Sequence, residues 1–304
     1  MTVLVFGSLN LDLVTYADKL PAIGETIVGE KLLRFPGGKG LNQAIAARRA
    51  GAEVLMVGSI GNDSDGDFLF DILKSESIGS KFITKTAEQT GIAVIEVSKS
   101  GENRIIIIAG ANSKTKFSDE ILTSSPSVTV ALAQLETPIA EVVKFIHKSK
   151  AAGKITILNP APIQKLDEQL LQDTDYLIAN ETEASFLVGN SVESLSKDEA
   201  SAIAKQLQKS GSKKVIITLG AQGSIYLDHE KSLFTPAYKV NAVDTTAAGD
   251  AFCGAFATAI SQGRPIEYAL EFASAAGGLA ATKAGAVPSI PSQQEILSMI
   301  TSLD

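Results

Sequence analysis

The residues best suited to chemistry form the heptapeptide DTTAAGD, residues 244–250, which runs directly into the apolar helical stretch AFCGAFATAI. Ala247, Ala248 and Gly249 are small enough for a ligand to approach the main chain, and the first turn of a helix has N–H groups without intrahelical partners. We therefore expect an anion to bind there, beside Asp250, which is placed to take a proton from the group that attacks the anion. This arrangement is typical of a phosphoryl transferase.

A simpler interpretation of the same segment needs no ligand. Asp250 is an acid in the first turn of a helix, where it is favourable in any protein, and Gly249 allows a tight turn. Local rules favour this interpretation, so the case for chemistry depends on the rest of the chain.

Composition excludes several classes of protein. The chain has 304 residues, 45% hydrophobic and 20% charged, which indicates a folded globular protein with a large core. Its net charge of -7 opposes nucleic-acid binding. The single cysteine, Cys253, and two distant histidines, His147 and His229, indicate neither a disulfide framework, a zinc site nor a Ser-His-Asp triad. No apolar run has the length of a membrane span, and the N-terminus lacks the features of a secretion signal, so we expect a soluble cytoplasmic protein.

Short β-rich runs alternate with longer helical stretches, which predicts an α/β fold with a mainly parallel sheet flanked by helices. Helix starts are predicted at Thr137-Pro138 and at the capping boxes Ser196 with Glu199 and Ser292 with Glu295. The predicted core strands are Thr2–Phe6, Glu53–Val57, Ser127–Gln134, Ile155–Leu158, Tyr176–Ile178 and Val215–Leu219.

Two stretches break this pattern, Leu13–Phe35 and Gly91–Ala109. The second contains two strand-like halves joined by a turn at Lys99–Asn103. A few strands are not stable alone in water, so we expect them to form a small accessory sheet that packs on the main domain, on a second subunit, or on both. We predict that this sheet is a lid, inserted in a single domain that spans residues 1–304.

Polar clusters follow the predicted strands at the edge where parallel sheets bind ligands. They are GSLNLD after the first strand, Glu136, NPAP, NETE, GAQG and the heptapeptide itself. Six such clusters at one edge are hard to explain by turn chemistry alone, and they predict a functional site.

These blocks, in this order, resemble the ribokinase branch of the PfkB carbohydrate kinases over nearly the whole chain. The resemblance rests on GSLNLD (7–12), PGGKGLNQA (36–44), GND (61–63), AGAN (109–112), QLE (134–136), NPAP (159–162), NETEA (180–184), TLGAQG (218–223), DTTAAGD and GAVPSIP (285–291). It implies a ribokinase-like, Rossmann-like fold and ATP-dependent phosphorylation of the terminal hydroxyl of a pentose, D-ribose above all.

The resemblance also implies a sugar site. It assigns sugar contacts to Asn10, Asp12, Gly38, Lys39, Asn42, Glu136 and Asp250. Asn10 and Asp12 are two residues apart, so on a continuing strand both project to one side. Without the resemblance, Asn10 and Asp12 could equally well form an Asx-turn. GGKG would then be a flexible turn before a helix, and Glu136 an exposed acid in a loop.

The nucleotide and metal sites follow from the same resemblance. It places ATP at Asn180, Thr218, Gly220, Gly223, Gly249 and Ser274, and Mg²⁺, through water, at Asn180 and Glu183. Asn180 and Glu183 also have the spacing of a capping box, which explains both without a ligand. It places K⁺ in a loop pair containing Asp244, Thr246, Ala280, Lys283, Gly285 and Ser289.

Several alternatives stay open. A kinase for deoxyribose, a nucleoside or a ketohexose would use the same sheet edge, and a sensor would bind sugar or nucleotide without turnover. Asp250 beside the AAG turn favours an enzyme, because a sensor needs no base there. A nicotinamide dehydrogenase is disfavoured, since the turn after the first strand lacks G-x-G-x-x-G. The resemblance and the aliphatic run Ile105–Ile108 predict a homodimer formed through the lid.

Overall fold

The computed structural model describes residues 1–192 and 194–301. Its strands and helices are, in chain order, β1 (Thr2–Phe6), β2 (Asn10–Ala17), β3 (Lys31–Gly37), α1 (Lys39–Arg49), β4 (Glu53–Gly61), α2 (Ser64–Ser75), β5 (Gly79–Thr86), β6 (Gly91–Ser98), β7 (Asn103–Ile108), α3 (Glu120–Thr123), β8 (Val128–Ala133), α4 (Ile139–Ala151), β9 (Ile155–Leu158), α5 (Glu168–Asp173), β10 (Tyr176–Asn180), α6 (Glu181–Leu187), α7 (Lys197–Lys209), β11 (Lys214–Thr218), β12 (Gly223–Leu227), β13 (Ser232–Pro236), α8 (Ala248–Ser261), α9 (Ile266–Ala281) and α10 (Gln293–Thr301).

The large sheet has the strand order β13-β12-β11-β10-β9-β8-β1-β4-β5. The strands from β11 to β5 are parallel, whereas β12 and β13 are antiparallel additions at one edge. This architecture confirms the predicted α/β fold with a mainly parallel sheet. The carboxyl ends of the parallel strands meet at one edge, where the site residues lie.

Helices bury both faces of the large sheet, as the interior strand β1 shows. All five residues of β1 are buried; Val3 and Val5 pack in the core that contains α1, α8 and α9, and Leu4 and Phe6 pack in the opposite core with α4 and α7. Strands covered on both faces are apolar at successive positions, which explains the run TVLVF.

Close packing of α1 against α8 brings their polar residues together at the site. A Cβ on Gly254 of α8 would lie 2.5 Å from the Cβ of Ala46 and 2.6 Å from the backbone nitrogen of Ala47. The Thr258 hydroxyl also donates a hydrogen bond to the Ala47 carbonyl, at 3.0 Å. Glycine at position 254 therefore sets the short distance between the two helices.

A second sheet, which we call the lid sheet, consists of β3-β2-β6-β7 in that order. The central pair β2 and β6 is parallel, and the outer pairs are antiparallel. The strands of this sheet extend beyond the stretches predicted from sequence, because β2 begins at Asn10 and β3 runs to Gly37. Consequently Asn10 and Asp12 lie on a lid strand, where both face one side.

The local predictions differ in outcome. Two strand predictions, Thr2–Phe6 and Ile155–Leu158, match their observed bounds, and both capping boxes form. The N-cap prediction at Thr137 is wrong by one residue: Pro138 is the N-cap of α4, without a side-chain cap bond. Strands β5, β12 and β13 were not predicted.

Within residues 1–192 and 194–301, none of the helices combines the length and apolarity needed to cross a bilayer.

Candidate active site

The N-terminus of α8 opens onto a cavity of about 170 Å³. Gly249 and Asp250, in the first turn of α8, both line this cavity. A Cβ on Gly249 would have no heavy atom within 4 Å, so the space beside it is open. Among the described residues, the N–H groups of Ala247 and Gly249 have no backbone acceptor, whereas the N–H of Ala248 donates to the Thr245 carbonyl at 3.1 Å. Of the three predicted anion donors, the Ala248 N–H is therefore already engaged, and Gly249 is the one that lines the cavity.

Two amides from α1 hold the carboxylate of Asp250, which is only 6% exposed. Asn42 Nδ2 donates to Asp250 Oδ2 at 3.0 Å, and Gln43 Nε2 donates to Asp250 Oδ1 at 2.9 Å. Each carboxylate oxygen keeps acceptor capacity after one such bond. Asp250 is thus fixed in orientation and still able to accept a proton from a group in the cavity.

The predicted sugar residues Asn10 and Asp12 lie together on β2, both buried. Asn112 Nδ2 donates to Asn10 Oδ1 at 2.7 Å. Burial raises the pKa of Asp12 from 3.8 to about 7, with the charges of Glu136 and Asp250 adding to the effect. A Cβ on Gly37 would lie 2.1 Å from Asp12 Oδ2, so only glycine at position 37 leaves room for this carboxylate.

Glu136 joins the segment after β1 to the start of α1. Its Oε2 accepts a 2.5 Å hydrogen bond from the Ser8 hydroxyl and a 3.0 Å bond from the Lys39 N–H. Gly38 precedes α1 with φ of 89°, a left-handed conformation that glycine adopts easily. These contacts bring together, at one edge of the site, three of the residues predicted to bind sugar: Glu136, Gly38 and Lys39.

Lys39 reaches the cavity from α1 and lies among acidic groups. The charge of Asp250 raises the pKa of Lys39, burial opposes that rise, and Glu136 and Glu183 add to it. Lys39 is therefore a cation between Glu136 on one side and Glu183, at the far wall of the cavity, on the other. Such a charge can stabilise phosphate oxygens.

The opposite wall of the cavity comes from β10, α6 and β11. Asn180, Glu183 and Thr218 line it, whereas Gly220, Gly223 and Ser274 do not. Gly220 and Gly223 form the turn between β11 and β12, with positive φ at both positions. Ser274 lies on α9, where its hydroxyl donates to the Pro236 carbonyl at 3.4 Å. The predicted ATP residues thus divide between the cavity and its surroundings.

Asn180 and Glu183 form the capping box of α6, as their spacing predicts. Glu183 Oε2 accepts from the Asn180 N–H at 2.9 Å, and Asn180 Oδ1 accepts from the Glu183 N–H at 2.8 Å. Burial raises the pKa of Glu183, a rise that its hydrogen bond from Asn180 and the charge of Lys39 oppose. The capping role and a cavity-facing position coexist in the same two residues.

The donor set at this wall fits water-mediated binding of Mg²⁺. Glu183 offers a buried carboxylate that lines the cavity, and a carboxylate can accept more bonds than Asn180 and Asn159 donate to it. In the described ranges there is no group of three or more His, Cys, Asp or Glu residues that could hold a metal directly. Mg²⁺ usually keeps several waters when it accompanies phosphates, which suits this single carboxylate.

The two loops predicted to hold K⁺ pack against each other. Asp244 Oδ1 accepts from the Thr246 N–H at 2.9 Å and Oδ2 accepts from the Gly285 N–H at 2.9 Å, while the Ala281 carbonyl accepts from the Asp244 N–H at 3.2 Å. Burial pushes the pKa of Asp244 up, but the hydrogen bonds from Thr246 and Gly285 bring it below its ordinary value. An ionised carboxylate among loop carbonyls is a suitable donor set for a hard cation.

The remaining predicted K⁺ residues have other partners. Lys283 Nζ pairs with Glu295 at 2.9 Å, and the Ser289 hydroxyl donates to the Ala286 carbonyl at 2.7 Å. The Ala280 carbonyl accepts from the Lys283 N–H at 3.2 Å. These positions therefore offer backbone oxygens rather than side chains to an ion.

Five polar residues of the site have no role in the sequence interpretation. Gln43, Gln134 and Asn159 form a buried amide cluster beside Asp250, of which Asn159 lines the cavity, while Ser8 bonds Glu136 and Asn112 bonds Asn10. Each lies within a motif named above, but its type and position alone did not distinguish it from a turn or core residue. For Gln134 and Asn159 the sequence does carry a signal, which is an amide side chain directly after an apolar strand.

Comparisons with known proteins agree with this geometry. A model of the pfkB family of carbohydrate kinases matches residues 2–293. The chain is 39% identical to a ribokinase of Haemophilus influenzae over 98% of each chain, and 38% identical to one of Staphylococcus aureus over 97% of this chain and 98% of that one. The solved structure of Arabidopsis thaliana ribokinase complexed with ribose and ATP matches with a TM-score of 0.91, 32% identity and 98% coverage of both chains.

The chain therefore belongs to the pfkB family of carbohydrate kinases. Within that family its similarity to ribokinases extends over nearly its whole length, and it is an ATP-dependent sugar kinase. The predicted family is confirmed, and so is the general activity of an ATP-dependent sugar kinase.

Proposed function

We propose that the chain transfers the γ-phosphoryl group of ATP to the terminal hydroxyl of D-ribose, giving D-ribose 5-phosphate and ADP. The observation that carries the proposal is the Asp250 carboxylate, oriented by Asn42 and Gln43 and open to the same cavity as the Gly249 N–H. The ribokinases of H. influenzae and S. aureus, and the ribokinase structure with ribose and ATP, support ribose as the acceptor.

In the proposed reaction the ribose hydroxyl oxygen attacks the γ-phosphorus while its proton passes to Asp250. The new O–P bond forms as the bond to the ADP oxygen breaks, through a loose transition state in which a weak base can take the proton late. The N–H groups of Ala247 and Gly249 stabilise the charge on the transferred group. Ala248 contributes to this corner by its small size, since its N–H already bonds Thr245.

Ribose would bind between the lid sheet and α1. Asn10, Asp12, Asn42 and Glu136 provide hydrogen-bonding groups for its hydroxyls, and Gly38 allows the main chain to approach. Lys39 supplies positive charge between the sugar and the phosphates. The carboxylates accept from hydroxyls, and the amides both donate and accept, so the set suits a polyol.

ATP would bind along the opposite wall. Its phosphates lie near Gly249, Asn180 and Thr218, and its base extends toward the turn at Gly220 and Gly223 and toward Ser274. When bound, Mg²⁺ neutralises phosphate charge, and Asn180 and Glu183 would hold its water ligands. The loops carrying Asp244, Thr246, Ala280, Lys283, Gly285 and Ser289 would hold K⁺, which would fix the corner 247–249 without contacting the substrates.

The lid sheet would close over ribose and exclude water, which otherwise competes for the phosphoryl group. We expect low ATP hydrolysis without sugar for this reason. The exposed residues Ile105–Ile108 of edge strand β7 provide an apolar surface on which a second lid sheet would pack as a homodimer. This arrangement treats residues 1–304 as one catalytic domain with an inserted lid.

A second candidate acceptor is deoxyribose. The chain is 33% identical over 97% of its length to a deoxyribokinase of Salmonella typhi. A nucleoside or a ketohexose would require a differently shaped sugar pocket at the same edge.

An ADP-release assay tests the acceptor. It compares ribose, deoxyribose, fructose and several nucleosides, each with potassium and with sodium at equal ionic strength. We expect the highest kcat/KM for ribose with potassium; ADP release with a nucleoside but not ribose contradicts the proposal.

Asp250→Asn tests the base. Loss of a general base costs about a hundredfold or more in kcat, whereas folding should persist because the side chains are nearly isosteric. Normal turnover by this variant refutes the assignment.

A further inference from the structure

A chain of buried amides lies behind Asp250, away from the cavity. Gln134 Nε2 donates to Gln43 Oε1 at 2.6 Å, and Gln43 Nε2 donates to Asp250 Oδ1 at 2.9 Å. The side chains of Gln43 and Gln134 are 0% exposed. Gln43 is on α1, Gln134 follows β8 and Asp250 is on α8, so the chain links three elements of the fold.

Asn159 fixes the direction of this chain independently of Asp250. Asn159 Nδ2 donates to the Ile178 carbonyl at 2.9 Å, and a carbonyl can only accept. The Oδ1 atom of Asn159 therefore faces Gln43 and accepts from its Nε2 at 3.1 Å. With two acceptors, Asp250 and Asn159, on the amino side of Gln43, its oxygen must face Gln134.

We propose that Gln43 and Gln134 are positioning residues for the base, an inference that rests on the proposed role of Asp250. Asn42 fixes one carboxylate oxygen, and Gln43 fixes the other, so the carboxylate cannot rotate and its remaining lone pairs face the cavity. The hydrogen bond from Gln134 keeps the Gln43 amide from rotating by half a turn. A reversed amide would place its oxygen against both Asp250 and Asn159, which is repulsive.

An unsatisfied atom distinguishes this arrangement from ordinary core packing. Gln134 Oε1 is buried without a hydrogen-bond partner, and it lies where a Cβ on Gly7 would be, at 2.1 Å. A buried polar atom without a partner destabilises the fold, and methionine at position 134 would remove this atom but leave Gln43 Oε1 without its donor. The amide at position 134 is explained by the bond that its other end donates to Gln43.

The first test is Gln134→Met, with Gln164→Met as the matched control. Gln164 likewise donates one amide hydrogen bond, in its case to the Leu135 carbonyl, but lies outside the amide chain. Loss of the donor to Gln43 should lower kcat about 5- to 10-fold, the rate factor that corresponds to one hydrogen bond. The KM values for ribose and ATP should stay within about twofold of wild type. The melting temperature should change little, because the variant removes the unpaired Gln134 Oε1 but leaves Gln43 Oε1 without its donor, and the control should keep wild-type kcat.

The second test is Gln134→Glu, for which kcat is measured as a function of pH. Protonated, the introduced carboxyl donates to Gln43 Oε1 as the native amide does; ionised, it can only accept. Because burial raises a carboxyl pKa, we expect near wild-type kcat at about pH 6 and a fall to the level of Gln134→Met by about pH 9. Lys39, Glu183, Cys253 and Asp12 lie near Asp250, and Glu136 lies near Asp12 and Lys39, in every variant, so the readout is the ratio of kcat to wild type.

The outcomes separate this inference from the proposed function. If Asp250→Asn is inactive while both Gln134 variants match wild type at all pH values, the positioning role is wrong and the base assignment stands. A pH-independent loss in Gln134→Glu equal to that of Gln134→Met also overturns the directional chain. If Asp250→Asn turns over normally, the proposed function fails first.

Discussion

Replacing Asp12 with asparagine should stabilise the free protein while weakening sugar binding. Asp12 is buried, and its pKa of about 7 lies well above the ordinary 3.8 because of that burial and the nearby charges of Glu136 and Asp250. The difference is about 3 pH units, and each unit corresponds to about 1.4 kcal/mol. Holding Asp12 ionised therefore costs the fold about 4 kcal/mol above pH 7.

The sign of the pH dependence follows from proton binding. The folded protein binds a proton at Asp12 more tightly than the unfolded chain does, so this contribution to stability is complete below about pH 4 and lost as pH rises to about 7. Asp12→Asn removes this dependence. Since the new amide must find partners of its own, we expect a net gain of about 2 kcal/mol at pH 8 and none at pH 4.

Urea unfolding without ligands at pH 4, 5 and 8 measures the gain. Asp18→Asn is the matched control, because Asp18 lies next to β2 with a side chain 75% exposed; we expect it to change stability by less than about 0.5 kcal/mol at each pH. In turnover assays, Asp12→Asn should raise KM for ribose about tenfold or more, the loss of a hydrogen bond to a charged acceptor. Equal destabilisation at pH 5 and pH 8 refutes the electrostatic reasoning, and an unchanged KM refutes the sugar contact.

Other perturbations test separate parts of the site. Gly37→Ala puts a Cβ 2.1 Å from an Asp12 carboxylate oxygen, so KM for ribose should rise about tenfold with little change in KM for ATP; the opposite pattern contradicts the placement of Asp12. Gly249→Ala meets no atom within 4 Å and should keep its melting temperature, yet its methyl group enters the proposed phosphate space and should lower kcat at least tenfold. Sodium in place of potassium should depress kcat, and equal rates would remove the cation from the scheme. Ile106→Glu on β7 should convert the proposed dimer to a monomer in light scattering, and a wild-type monomer would disprove that interface.

The parallel core of the fold was predictable because each buried strand is a short apolar run between clear turn signals. Ile155–Leu158 and Thr2–Phe6 are such runs. β13 was missed because it alternates exposed and half-buried residues at a sheet edge and carries little hydrophobic signal. The Thr137 cap was wrong because Pro138 itself has extended ψ of 121° and so precedes the helix.

Among the polar residues of the site, too, some could be predicted from the sequence and others could not. The position of Asp250 and of the small residues before it was predictable, because one short segment contains both the start of a helix and an acidic residue in its first turn. Gln43 and Gln134 were not, because 91 residues separate them and only the packing of α1 against the sheet brings their amides together. Long-range contacts of this kind leave no local periodicity for a sequence to show.

Asn10 and Asp12, which we propose to bind sugar, belong to β2 of the lid sheet, whereas Asp250 and Gly249 belong to α8, which packs on the large sheet. In the proposed scheme part of the acceptor site thus lies on a separate structural module, the lid sheet, while Asn42, Glu136 and Asp250 of the larger module also contact the sugar. We expect new acceptors to be obtained by exchanging side chains on the inner face of the smaller module. Such redesign would leave the transfer apparatus untouched, which makes this scaffold suitable for directed evolution of alcohol specificity.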